Sequence, residues 1–256
     1  MAGLPDGARI ARVTIPSVST HLHALIPAAG IGSRVGADLP KQYLPIGART
    51  MLEHAVQALL ADARIARVQV VAAPGDTRAA ALPALMQPRV AVASVGGESR
   101  AASVRAGLDA LLTLGAGAQD WVLVHDAARP CVAPTELAAL IDALADEPVG
   151  ALLAVPLADT LKRAVADGPD GARVATTIDR RALWRAATPQ AFRIDTLRRA
   201  LDAPGMLAQA TDEASAVEAL GLAPRLVACA ATNLKVTTAD DLPLARAILA
   251  LQGRLD

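Results

Sequence analysis

Aromatic side chains are nearly missing: two tryptophans, one tyrosine and one phenylalanine make up 2% of 256 residues. Ala, Leu and Val must therefore fill the core, and few stacking platforms exist for single-stranded nucleic acid. Net charge is missing too, because 25 Lys and Arg face 25 Asp and Glu. A non-specific nucleic-acid binder carries a basic excess, so that class is set aside. Cysteine is reduced to Cys131 and Cys229 with no CxxC pair, which reads as reduced cytosolic thiols and not as a disulfide framework. His21, His23, His54 and His125 form no HxxxH or HExxH pattern, so no zinc site of familiar spacing is built from them. No unbroken apolar run reaches the ~18 residues that a membrane span needs. Residues 1–20 lack the apolar centre of a secretory signal and read as a mobile extension. These absences point to a cytoplasmic protein with neither membrane nor nucleic acid as partner.

What is present is a globular composition, 53% hydrophobic and 20% charged. At this length a chain buries roughly 75% of its unfolded surface and needs no disulfide to hold a core. Short apolar runs bounded by Gly, Pro or Asp predict buried strands at 23–27, 68–73, 90–95, 121–126 and 151–156, with others at 225–230 and 233–238. Helical periodicity falls between them, at 50–62, 76–86, 99–115 and 134–146, and later at 195–202, 212–220 and 240–251. Such alternation predicts an α/β fold, a Rossmann-like and mainly parallel twisted sheet with helices on both faces, in one domain over 21–256. Residues 157–181 break the rhythm. Alternating stretches flank DGPDG, a hairpin signature. A lone two-stranded ribbon is marginal, so it reads as a surface flap or as an arm that packs on a partner. Trp184 and Phe192 read as core packing.

Ligands of parallel sheets sit at the carboxyl ends of the strands, and the polar motifs fall there: IPAAGIGSR, SVGGESRAAS and VHDAARP each follow a strand. The first belongs to PAAGIGSRVGADLPKQY (27–43). It lacks the GK[ST] of a P-loop. Its glycines, Gly30, Gly32 and Gly36, miss the dinucleotide spacing, with Val35 at the place of the last one, and Glu53 lies inside a helix pattern. What remains is a loop whose backbone N–H groups approach an anion, with Arg34 and Lys41 set into it. The plain alternative for both cations is a solvated loop charge. Ala28, Ala29, Gly30, Gly32 and Ser33 clear more space than a connector needs.

In this order PAAGIGSRVGADLPKQY, GGESRAASV, VHDAARP, DTLKR, TIDR, TPQ, TDEAS and NLKVT resemble the 2-C-methyl-D-erythritol 4-phosphate cytidylyltransferases of the non-mevalonate isoprenoid pathway, from about His23 to Ile248. The resemblance implies transfer of CMP from CTP to 2-C-methyl-D-erythritol 4-phosphate with release of pyrophosphate. It implies that Ala28, Ala29 and Gly30 cradle the triphosphate and that Arg34 and Lys41 are the catalytic cations. Gly97, Glu98 and Ser103 match the cytidine-binding stretch, Glu98 standing where some relatives have Asp. Asp126 and Arg129 match the junction of nucleotide and second substrate. Thr160 and Arg180 match arm residues that reach the neighbouring subunit's site in a homodimer, and Lys235 matches a cation that holds the acceptor with Arg180. Mg²⁺ is expected mainly on the triphosphate oxygens, with Asp126 its one candidate protein ligand. A phosphate monoester is already a nucleophile, its second pKa being ~6, which agrees with the lack of a His–carboxylate base.

Blander roles stand beside these: Asp126 as a turn cap, Arg129 as its local ion-pair partner, Arg180 as a surface arginine, Lys235 as a snorkelling edge residue and His125 as a structural hydrogen bonder. Two other functions are weighed. One is a cytidylyltransferase for ribitol 5-phosphate or another polyol phosphate. The other is a non-catalytic nucleotide-binding protein, which would keep the glycines and lose the cations.

Overall fold

Thr50 caps the first long helix by accepting from the Glu53 amide, while the Glu53 carboxylate accepts from the Thr50 amide. This capping box satisfies otherwise orphaned donors, and it explains why Glu53 is buried at a helix start and not aimed at a ribose. The computed structural model describes residues 20–30, 39–165 and 171–255. The extension up to residue 19, Arg34 and most of the DGPDG turn lie outside the described residues. In chain order the elements are β1 (Leu22–Pro27), β2 (Pro45–Ile46), β3 (Arg49–Thr50), α1 (Met51–Leu60), β4 (Ile65–Val71), α2 (Arg78–Ala81), β5 (Val90–Ala93), α3 (Arg100–Thr113), β6 (Trp121–Val124), α4 (Pro134–Asp142) and β7 (Gly150–Pro156). There follow β8 (Leu161–Ala164), β9 (Val174–Ile178), β10 (Trp184–Arg193), α5 (Ile194–Leu201), α6 (Met206–Gln209), α7 (Glu213–Glu218), β11 (Arg225–Ala228) and α8 (Asp241–Leu251).

The main sheet has seven strands in the order β11-β7-β10-β6-β1-β4-β5. β6, β1, β4 and β5 run parallel, as do β11 and β7, while β10 lies antiparallel between β6 and β7. One face is covered by Leu52, Val56 and Leu59 of α1 with Leu137 and Leu140 of α4. The other is covered by Val104, Leu108 and Leu111 of α3 with Leu197 and Leu201 of α5, around Phe192. The expected α/β sheet with helices on both faces is therefore present. α8 packs across one end, where Ala245, Ile248 and Leu249 meet Ile46, Met51, Cys131 and Val236.

Three local expectations need correction, and one strand is added. β10 is a strand that sequence patterning does not mark: Pro189 within a run argues against a central strand, but the pairing register shifts between Ala186 and Gln190, and TPQ occupies that shift. The helix expected over 76–86 is α2 followed by a separate 3-10 turn at Pro83–Leu85. Pro83 supplies no N–H and holds Leu82 extended. Residues 233–238 form no strand; the Val236 amide makes a bond to the Ala128 carbonyl without a ladder around it. Trp184 is 37% exposed and is not core, unlike the fully buried Phe192.

β8 and β9 pair antiparallel as a two-stranded ribbon, largely solvent-exposed, between β7 and β10 in the chain. No helix among the described residues is long and apolar enough to cross a membrane.

Candidate active site

The turns after β1, β5 and β6 converge at the carboxyl ends of their strands, as a parallel sheet dictates. Ala28, Ala29 and Gly30 from the first, Gly97, Glu98 and Ser99 from the second, and Asp126 from the third line one cleft of about 540 Å³. Lys41, Gln42, Arg100, Ser103 and Lys235 complete it.

Close approach of two loops shapes its floor. The Gly96 amide donates to the Ala72 carbonyl at 2.9 Å. A Cβ on Gly96 would lie 2.1 Å from the Ala29 Cβ, and one on Gly97 would lie 2.6 Å from the Ala102 Cβ. Only glycine allows the second loop to rest on the first and on the start of α3. Buried Ser103 accepts from the Gly97 amide at 3.1 Å and donates to the Ser99 carbonyl at 3.0 Å, which fixes the second loop. Ser99 caps α3 by accepting from the Ala102 amide. Gln42, also buried, donates its amide to the carbonyls of Ala28 at 2.8 Å and Gly30 at 3.0 Å. The first loop is thus held by a side chain that sequence patterning does not mark.

Charge is arranged around Asp126. Its Oδ1 accepts from Arg100 at 2.8 Å and its Oδ2 from Lys235 Nζ at 2.8 Å, with Arg129 Nε 4.0 Å away. Burial alone would push the Asp126 carboxyl up, but Arg100, Lys235 and Arg129 outweigh it and hold it well below the usual carboxylate range. Lys41 donates to the Val236 carbonyl at 3.3 Å, beside the Lys235 segment. Arg129 stands behind Asp126 and outside the cleft lining, donating to the carbonyls of Asn233 at 2.7 Å and Ala186 at 3.4 Å.

His125 is structural. Its Nε2 lies 3.0 Å from the Arg129 carbonyl and must donate, so Nδ1 accepts from the Thr188 hydroxyl at 3.0 Å. Thr188 in turn accepts from the Asp126 amide at 3.0 Å. Burial lowers the His125 pKa to about 4, so the ring is neutral and both nitrogens are spent. Thr188 lies in TPQ, Arg100 in GGESR and Glu213 in TDEAS, and the sequence assigns none of the three a role. Their signal was motif membership; their partners become visible only in three dimensions.

Thr160 and Arg180 do not line this cleft. Both are exposed, and the Arg180 guanidinium donates to the nearby Ala158 carbonyl. Among the described residues no group of three or more His, Cys, Asp or Glu could hold a metal ion. Cys131 and Cys229 are free, and burial raises each thiol to about 11.

Comparison with known proteins places this geometry. The family model described as 2-C-methyl-D-erythritol 4-phosphate cytidylyltransferase matches residues 22–251. The enzyme of that name from Laribacter hongkongensis is 54% identical over 230 residues, covering 90% of this chain and 96% of the relative. That from Thiobacillus denitrificans is 50% identical over 228 residues, covering 89% and 97%. A solved 4-diphosphocytidyl-2C-methyl-D-erythritol synthase superposes with a TM-score of 0.78 at 41% identity, over 91% of this chain and 100% of that one. With its cleft at the strand ends and a match along nearly its whole described length, the chain belongs to the 2-C-methyl-D-erythritol 4-phosphate cytidylyltransferase family, a family of nucleotidyltransferases.

Proposed function

We propose that the chain transfers CMP from CTP to 2-C-methyl-D-erythritol 4-phosphate in the cytoplasm, as a homodimer. The observation that carries this reading is a cleft equipped to manage negative charge, with its one neighbouring imidazole locked neutral and fully bonded. Such a site suits a nucleophile that needs no base. An oxygen of the acceptor's phosphate forms a bond to the α-phosphorus of CTP. The bond from that phosphorus to the bridging oxygen breaks, and pyrophosphate leaves with the electron pair. Two polyanions must be brought in line and their charge balanced.

In this reading Ala28, Ala29 and Gly30 cradle the triphosphate, and Arg34 and Lys41 stabilise charge that develops at phosphorus. Gly97, Glu98 and Ser103 hold the cytidine. Asp126 orients Lys235 at the nucleotide–acceptor junction, and Arg129 fixes the Asn233 segment behind it. Thr160 and Arg180 serve the neighbouring subunit's acceptor. Mg²⁺ fits as an ion carried by the nucleotide, since both Asp126 oxygens already accept from cations and Mg²⁺ takes few protein ligands beside phosphates. When bound it neutralises phosphate charge.

Pyrophosphate release with CTP and either 2-C-methyl-D-erythritol 4-phosphate or ribitol 5-phosphate tests the reading. Turnover with the first acceptor is expected. Turnover with ribitol 5-phosphate alone overturns the acceptor, and none with either overturns the activity. Lys41→Ala is expected to lower kcat on the order of 10²–10³-fold, the cost of losing one transition-state donor. Lys235→Ala is expected to raise KM for the acceptor.

A further inference from the structure

Glu213 is 1% exposed and does not line the cleft, yet it is tied to a residue that does. Its two oxygens accept from Arg100, Oε1 from Nη1 at 2.5 Å and Oε2 from Nη2 at 3.1 Å. The other edge of the same guanidinium, through Nε, reaches Asp126 Oδ1 at 2.8 Å. The planar fork of Arg100 is therefore clamped between two carboxylates, and Asp126 keeps its second oxygen for Lys235.

Glu213 is buried while the Arg100 side chain keeps 31% of its surface; burying a carboxylate costs several kcal/mol of desolvation, and an apolar filler of the same volume is often at least as stabilising. Stability alone gives no reason for this pair. The supporting bonds around Glu213 indicate placement. Gln190 accepts from the Ala214 amide at 2.8 Å and donates to Asp212 at 2.9 Å, so the first turn of α7 is pinned to β10 on both sides of Glu213. Thr188, two residues earlier on β10, holds the Asp126 amide. β10 thus sets both carboxylates that clamp Arg100. The Ser99 hydroxyl donates to the Leu207 carbonyl at 2.8 Å, which ties the start of α3 to α6.

We propose that Glu213 is a positioning residue for the transfer reaction: it acts through Arg100, holding that guanidinium on Asp126 and away from the anionic substrates. The inference rests on the transferase reading above. Arg100 and Lys235 bring two positive charges, and Asp126 and Glu213 bring two negative ones. Loss of the Glu213 charge would leave Arg100 half-released beside the cleft. A released arginine is a strong, bidentate phosphate binder. It would grip CTP in the ground state, where binding does not accelerate the reaction.

The test is steady-state kinetics of Glu213→Gln in the full-length enzyme. The expected result is a kcat about 10-fold lower together with a reduced KM for CTP. Arg100→Gln and the double variant complete a cycle, and the double variant should be no slower than Arg100→Gln alone, because Glu213 works only through Arg100. Additive losses, or an unchanged kcat with only a lower melting temperature, overturn the proposal and leave Glu213 a packing residue. Should Glu213→Gln fail to fold, Glu213→Asp carries the same test: the charge stays but is drawn back by one methylene, and kcat should fall several-fold. Wild-type turnover is measured first. Its absence would count against the transferase reading, whereas normal wild-type turnover with an indifferent Glu213→Gln counts against this inference alone.

Discussion

His125 shows how one buried side chain links site architecture to pH. Burial moves its pKa from the ordinary 6.5 down to about 4. Between those values the unfolded chain binds a proton that the folded chain refuses, so stability rises with pH across the window. The contribution is fully present above pH 6.5 and is lost as pH falls toward 4. Burial lowers His23 and His54 as well, with the same sign. Asp126, held low by its cations, keeps its contribution down to more acidic pH. The expected outcome is a urea midpoint that drops between pH 7 and pH 5, with His125 alone accounting for roughly 2 kcal/mol at one pKa unit per ~1.4 kcal/mol. Unfolding is the readout of choice, because turnover also changes as the acceptor's phosphate gains a proton near pH ~6. A midpoint that does not move, or one that moves equally in His125→Asn, would show that the ring is not held neutral.

At the level of elements, the contact between the turns after β1 and β5 is the tightest constraint on the cleft. In Gly96→Ala the new Cβ meets the Ala29 Cβ at 2.1 Å and the Ala72 carbonyl oxygen at 2.8 Å. Both neighbours are fixed to the backbone, so a loop must shift, at a cost of about 1–3 kcal/mol. KM for CTP is expected to rise at least about 10-fold, the equivalent of ~1.4 kcal/mol. Gly115→Ala, strained at φ +91° but with open space around it, should lower stability and leave KM for CTP unchanged. Equal effects on CTP would mean that loop contact is not what Gly96 protects. The ends of β1, β5 and β6 were legible in the sequence because apolar runs stopped by small or acidic residues mark strand ends. β10 was not, since Pro189 hides a central strand whose register shift accommodates it. Pro83 was read through as helix although it ends one. Gln42 and Glu213 lie in motifs, but their roles are hidden for another reason: a polar residue's burial depends on which carbonyls or cations the fold brings to it, and no periodicity records that.

For the molecule as a whole, the ribbon of β8 and β9 stands largely exposed. Around it Val165, Val174, Leu183 and Trp184 are 52%, 64%, 37% and 37% exposed, a concentration of apolar surface that a lone chain leaves in water. Thr160 and Arg180 sit in the same region and outside their own chain's cleft. If the ribbon carries Arg180 into the neighbouring subunit, each site draws Lys41 from one chain and Arg180 from the other. Lys41→Ala and Arg180→Ala, each impaired alone, then complement. In a mixed dimer one site loses both residues and the other keeps both. Random exchange of equal amounts of a two-fold dimer therefore restores about one quarter of all sites. If Arg180 instead serves its own chain, every site in the mixture lacks one residue and no activity returns. Subunit exchange, followed by mass spectrometry of differently tagged chains, must accompany the assay. Exchange without recovery of pyrophosphate release would assign Arg180 to its own chain, and recovery in proportion to the mixed dimer would assign it to the partner's site.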